Sequence, residues 1–376
     1  MKKEIKNKQE KGITLIALVV TIVVLLILAG VSISLVLNNN GVISKAKDAK
    51  NQYAEAQANE EKHFNEVTDW IDTKVGETTG GGSAGGSDYD PASDGVTIPD
   101  GFVYVGGTKA SGLVISDATA DKEKYKGQTT VGTDLVGNQF VWIPVENIAD
   151  YKRTAYAGVS LSGFLETLPE DEKTSVETNK GYYIGRYEAG DKESTEAKTL
   201  RKYGATGSNT VAVKAGQAPY NYIKYTDAKK LAEGFSTKQG YTSVKSKLVS
   251  SYAWDTAIAF IQKTNSDYGR RSSEEGNYYD SPTFNYTGIA DTEKNKQTKA
   301  NGTGTLIPTG QTTAVNNIYD MGGNVYEWTT ESCSDTNYPY VFRGGSYRQY
   351  SNPAGGRVVS NNSSDGDLGF RLTLFL

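Results

Sequence analysis

A chain of 376 residues is long enough for one large domain with an appendage, or for two domains. A single histidine, His63, and a single cysteine, Cys333, exclude an internal disulfide and any paired-cysteine or multi-histidine metal or catalytic site built within one chain. The formal charge of −4 divides into +3 over residues 1–12, with five lysines and two glutamates, and −7 over the remainder, which argues against nucleic acid as a partner of the body. The 41 glycines and 25 tyrosines suggest a loop-rich protein with wet aromatic surfaces rather than a helical bundle.

Residues 13–37 are 25 positions without a charge, and as a helix of roughly 37 Å they predict a transmembrane span. The lysines at 2, 3, 6, 8 and 11 stand on one side of it, which places the N-terminus in the cytoplasm and the rest outside, as a single-pass membrane protein at the cell surface. Lys11-Gly12-Ile13-Thr14-Leu15-Ile16 followed by the apolar run resembles the type IV prepilin leader. The resemblance implies a leader over 1–12, cleavage after Gly12, methylation of a new N-terminus at Ile13, and pilin-like subunits as partners. Pilins place a glutamate at the fifth mature position, whereas this chain has Ala17, so polymerisation does not follow; a plain unprocessed anchor is the alternative. Over 38–75 apolar residues recur at threes and fours, among them Tyr53, Phe64, Val67 and Ile71, and predict an amphipathic stalk helix. Residues 76–95, rich in glycine and serine, read as a linker.

From Val96 onward, residues 96–376 read as one head domain. Strands are expected over 101–105, 113–115, 138–145 and 182–188, helices over 226–234 and 252–264, and loops over 265–313. The fold class is therefore α+β: a long N-terminal transmembrane and stalk helix followed by an irregular, loop-rich domain. Trp142 and Trp328 are expected in its core. The segment Tyr347–Asp367 is nearly free of core-forming residues between two blocks that look like framework, as a displayed binding surface would be.

Phe140-Val-Trp-Ile-Pro144, Tyr183-Ile-Gly-Arg-Tyr-Glu188, Asn317-Ile-Tyr-Asp-Met-Gly-Gly-Asn-Val-Tyr-Glu-Trp328, Arg343-Gly-Gly-Ser-Tyr347 and Gly369-Phe-Arg-Leu372 together resemble the formylglycine-generating enzyme (sulfatase-modifying factor) family. The resemblance implies a C-type-lectin-like fold. The family's enzymes oxidise a substrate cysteine with two active-site cysteines; aligned on Gly344-Gly-Ser-Tyr347, those positions are Gln349 and Ala354, neither of which supplies a thiolate. No catalytic residue or copper is therefore expected; related iron-dependent enzymes of the fold need several histidines where this chain has only His63, so no iron is expected either. The resemblance also implies a structural Ca²⁺ held by the side chains of Asp320 and Glu327 and the carbonyls of Gly323 and Val325. The alternative is that Asp320 caps a turn and Glu327 makes a salt bridge.

Non-catalytic members of this fold include displayed receptors, such as the variable proteins of diversity-generating retroelements, which contact ligand through a C-terminal segment of this kind. By that resemblance the ligand-binding residues here are Tyr347, Arg348, Gln349, Tyr350, Asn352, Arg357, Ser360, Asn361, Asn362 and Asp365, a paratope-like mixture. The expected function is display of an inactive head for adhesion or binding to a surface protein or glycan. The alternatives are a minor pseudopilin of a pilus or secretion system, and an enzyme with a non-standard active site that uses Cys333 or acidic loop residues.

Overall fold

The computed structural model describes residues 22–24 and 89–376, leaving out 159, 197–198, 205–209, 273, 290–295 and 351. The leader, the stalk, most of the span predicted over 13–37 and the linker up to residue 88 lie outside the described residues. No helix among the described residues is long and apolar enough to cross a membrane. Residues 86–376 form one compact unit of mixed helices and strands.

A six-stranded sheet sits at its centre, in the order Val103–Gly106, Val114–Ser116, Gln139–Pro144, Gly181–Gly185, Leu372–Phe375, Lys245–Leu248. Every neighbouring pair is antiparallel. Its inner strands are apolar at consecutive positions because both faces are covered. Side chains alternate across the sheet, so Phe140 and Trp142 enter one core while Val141 and Ile143 enter the other. The first core is closed by Ala228, Ala232 and Phe235 of the helix Tyr225–Gln239, the second by Trp254, Ala257 and Ile258 of the helix Ser251–Ile261. The first of these helices stops at Gly240, in the left-handed region at φ 76°; the second starts where the Ser250 hydroxyl accepts the Ala253 N–H at 3.1 Å.

A second sheet carries the C-terminal blocks in the order Arg357–Ser360, Tyr340–Arg343, Tyr326–Cys333, Leu368–Phe370, with Phe164–Leu165 pairing to the end of the long strand. The strand Leu368–Phe370 runs parallel to Tyr326–Trp328, and one residue later the chain enters the first sheet as Leu372–Phe375. Arg371 is that joint, and the two sheets share the first core.

The expected strands stand within a few residues of their places, and the two expected helices are observed at Tyr225–Gln239 and Ser251–Ile261. The helix Glu170–Asn179 escaped sequence reading because its only aliphatic residue is Val176, which leaves no apolar stripe. The loops expected over 265–313 contain a hairpin, Phe284–Thr287 with Lys296–Lys299, whose polar strands show no hydrophobic alternation. Leu374, fully buried on the second-to-last position of the central sheet, sets the cost of opening the first core. Leu374→Ala is expected to lower stability by about 2–5 kcal/mol in denaturant titration, through lost burial and the cavity left behind.

Candidate binding face and buried charge site

The C-terminal segment begins at a turn that only glycine fits. Gly344 and Gly345 take φ of 95° and 78°, and a Cβ on Gly345 would lie 2.3 Å from the Asn352 carbonyl oxygen. Beneath this turn, Arg343 and Arg357 lie side by side on paired strands and are fully enclosed. The Arg343 guanidinium reaches Asp255 Oδ1 at 2.6 Å and the Gly356 carbonyl at 2.7 Å, while Arg357 reaches the other Asp255 oxygen and both oxygens of Glu331. Arg153 also pairs with Glu331. Burial holds the Arg343 guanidinium below its usual range, and the neighbouring Asp255 carboxylate offsets only part of that shift.

This network corrects one expected binding residue. Arg357 is a framework residue, consumed by ion pairs and closed to solvent. Tyr347 is likewise mostly buried, with its backbone N–H on the Asn324 carbonyl at 2.9 Å. Asn352 is half-buried and donates to the Tyr326 hydroxyl at 2.7 Å. The remaining expected residues reach the surface to differing degrees. Arg348, Gln349 and Tyr350 form an exposed rim, with Tyr350 70% exposed and its ring 4.8 Å from that of Tyr279. Asp365 accepts from Arg348 at 2.9 Å. Asn361 is exposed, Ser360 bonds Ser363 at 3.1 Å, and Asn362 exchanges hydrogen bonds with Thr226.

Two neighbours of this rim were not visible in the sequence. Tyr222 and Tyr203 come from a distant stretch, Tyr203 being 89% exposed with its ring 6.1 Å from Tyr222. The Tyr222 N–H donates to the Asp365 carbonyl at 2.9 Å, which stitches that stretch to the C-terminal segment. The one available signal was the tyrosine density of Tyr220-Asn-Tyr-Ile-Lys-Tyr225.

At the aligned cysteine positions, the Gln349 side chain is exposed and the Ala354 methyl is fully buried. The Ala354 carbonyl accepts the Trp254 indole N–H at 2.9 Å, so its backbone serves as a strut. Cys333 lies at the far end of its strand, paired across to Phe164, and its sulfur accepts the Asp335 backbone N–H at 3.5 Å. Trp142 and Trp328 are fully buried, as expected.

The expected metal residues lie on the other side of the Gly323–Asn324 turn, where Asp320 and Asn324 take φ of 59° and 57°. Asp320 accepts from the Gly310 N–H at 2.7 Å and the Thr312 hydroxyl at 2.8 Å. Both oxygens of Glu327 face Arg371, at 2.9 and 2.7 Å, which is the salt bridge of the alternative reading. A third buried carboxylate, Glu188, takes one hydrogen bond from Asn324 and leaves its second oxygen without a donor. Burial pushes all three carboxyls up, and repulsion from Asp320 adds to it for Glu188 and for Glu327, which rises to about 7. Three carboxylates thus face one guanidinium, an excess that a divalent cation or protons would offset; among the described residues, however, no three acidic, cysteine or histidine side chains converge as a metal cage.

The chain belongs to the family described as the sulfatase-modifying factor enzyme 1-like domain, whose model matches residues 90–374. That family holds both enzymes and non-catalytic members. Among solved structures, the chain is similar to one titled the crystal structure of CarF, at 15% identity over 52% of this chain and 87% of that one, with a TM-score of 0.34. It is also similar to variable protein 1 of Treponema denticola, at 15% identity over 66% of this chain and 98% of that one, again with a TM-score of 0.34. No curated protein matches it.

Asp255 supports both arginines at once, so its loss leaves two buried cations short of a partner. Asp255→Ala is expected to destabilise the fold by at least about 3–5 kcal/mol, the scale for breaking a buried pair from one side. The measurement is the unfolding midpoint, with Asp365→Ala, on the exposed pair, expected to change it by less than about 1 kcal/mol.

Proposed function

We propose that this protein is membrane-anchored and displays, outside the cell, a catalytically inactive sulfatase-modifying-factor-type head that binds a ligand, protein or glycan. The observation that carries the reading is the pair of residues at the family's cysteine positions. Neither the exposed Gln349 nor the buried Ala354 supplies a thiolate. Around them the chain keeps a rigid base and an outer rim of Arg348, Gln349, Tyr350 and Asn361, the residue types that combine fixed aromatic area with adaptable hydrogen bonding. The uncharged run over 13–37 with lysines on one side supports the anchor, and Lys11-Gly12-Ile13 supports leader processing with a pilin-like stem. Ala17 at the fifth mature position favours a free-standing display protein over a polymerising subunit.

We propose further that Asp320 and Glu327, with the carbonyls of Gly323 and Val325, hold a structural Ca²⁺. The excess of buried carboxylate over Arg371 supports this reading, because a hard dication supplies the missing charge. Its role would be to fix the turn that carries Asn324, whose carbonyl holds Tyr347.

The purified protein, incubated with copper, oxygen and a sulfatase-type cysteine peptide, is expected to leave the cysteine unmodified; formylglycine in the product would overturn the inactive-head reading. Sequencing of the protein recovered from membranes is expected to begin at a methylated Ile13, and recovery of Met1 would remove the pilin-like processing. Calcium at a hundred times its Kd should stabilise the fold by about 2.7 kcal/mol relative to EDTA. Identical melting in calcium and EDTA would leave the Glu327–Arg371 salt bridge as the whole of that site.

A further inference from the structure

Tyr222 holds a conformation its own side chain disfavours. Its φ of 51° is in the left-handed region, which glycine enters freely and a bulky residue rarely. Three hydrogen bonds to two other segments impose it. The Tyr222 N–H is taken by the Asp365 carbonyl at 2.9 Å, the preceding Asn221 donates its amide to the Gly366 carbonyl at 2.6 Å, and buried Arg201 donates to the Asn221 carbonyl at 2.9 Å. Strain of this kind persists where the surroundings over-determine the backbone, and it concentrates at ligand sites.

The consequence of this conformation is a placement. A Cβ at Gly366 would lie 2.7 Å from the Tyr222 hydroxyl and 3.0 Å from Arg348 Nη2, so the two side chains converge over that glycine. The exposed ring of Tyr203 stands at 81° to that of Tyr222, making a corner. Beside it Arg348 pairs with Asp365 at 2.9 Å, with Asp367 at 3.8 Å, and its guanidinium lies 5.2 Å from the Tyr347 ring.

We infer that Tyr222 is a ligand-contacting residue and that the ligand at this corner is a neutral saccharide. A pyranose has an apolar C–H face that lies against an aromatic ring and a rim of hydroxyls that bond to guanidinium and carboxylate groups. Arg348 already faces two carboxylates, so the corner has no excess positive charge to hold a carboxylate- or phosphate-bearing ligand. A protein partner is less well served, because stable protein interfaces centre on a buried, largely apolar patch, whereas the apolar area here is divided among separate tyrosine rings with charges between them. The inference rests on the displayed-head reading.

The test uses the full-length chain and its Tyr222→Gly variant on an array of neutral hexose and N-acetylhexosamine oligosaccharides, acidic oligosaccharides and surface proteins, with thermal melting of both. Glycine relieves the strained φ and removes the ring. The expected result is a melting temperature unchanged or raised, with binding to a neutral saccharide weakened more than tenfold. Equal saccharide binding by the two forms would overturn the role of Tyr222. Binding of surface proteins or of acidic saccharides alone would overturn the neutral-saccharide assignment and leave the displayed head standing. Binding to none of the array would overturn both.

Discussion

Everything exposed on the C-terminal face depends on charges that are not exposed. Asp255, on a core helix, holds Arg343 and Arg357 at the same time, and Glu331 holds Arg357 and Arg153 from the neighbouring strand. Enclosed charges are expensive to desolvate, and each member of such a set is tolerated only while the others stay in place. The arrangement therefore ties four elements into one rigid base: the helix Ser251–Ile261 and the strands that carry residues 331, 343 and 357. The polar segment between Arg343 and Arg357 leaves this base at one arginine and returns to it at the other. Its outer residues can be polar and lightly packed because its ends are fixed beneath them.

Arg371 plays the equivalent part between the sheets. It is the single residue between the strand that lies against Tyr326–Trp328 and the strand that completes the central sheet, and its guanidinium binds Glu327 as well as the carbonyls of Gly185 and Tyr319. One fully buried cation thereby joins the closing Gly-Phe-Arg block, the Tyr-Glu-Trp block and the strand Gly181–Gly185. The sequence blocks that mark the family are thus largely blocks of this internal bonding. The pattern therefore records the scaffold: Glu327, Arg343 and Arg371 all belong to it, and all three are engaged in internal bonds.

Much of the scaffold was legible because its signals are local. Phe140-Val-Trp-Ile and Tyr182-Tyr-Ile are short apolar runs of the kind a strand covered on both faces holds, and Ala228 with Ala232 on one helix, and Ala253, Ala257 and Phe260 on the other, repeat with helical spacing. The helix Glu170–Asn179 and the hairpin Phe284–Lys299 were missed because their residues are polar and their stability comes from where they dock. The candidate face was legible in part for a related reason. Arg348, Tyr350 and Asn361 are exposed as their neighbours imply, whereas Arg357 reads as a surface arginine until its partner Asp255 is brought to it by the fold. Tyr222 and Tyr203 could not be placed from their own surroundings, since Tyr222 meets Asp365 and Gly366, far along the sequence, and Tyr203 meets Tyr222.

The central claim is that this family scaffold serves here to present a recognition surface. It is tested most directly by measuring capture of glycans and surface proteins by the full-length chain beside a variant with Arg348, Tyr350 and Asn361 all replaced by alanine. The account predicts a specific ligand for the native chain, lost in the variant while its melting temperature stays within a few degrees, because all three side chains lie outside the buried base. Equal capture by both proteins would contradict it.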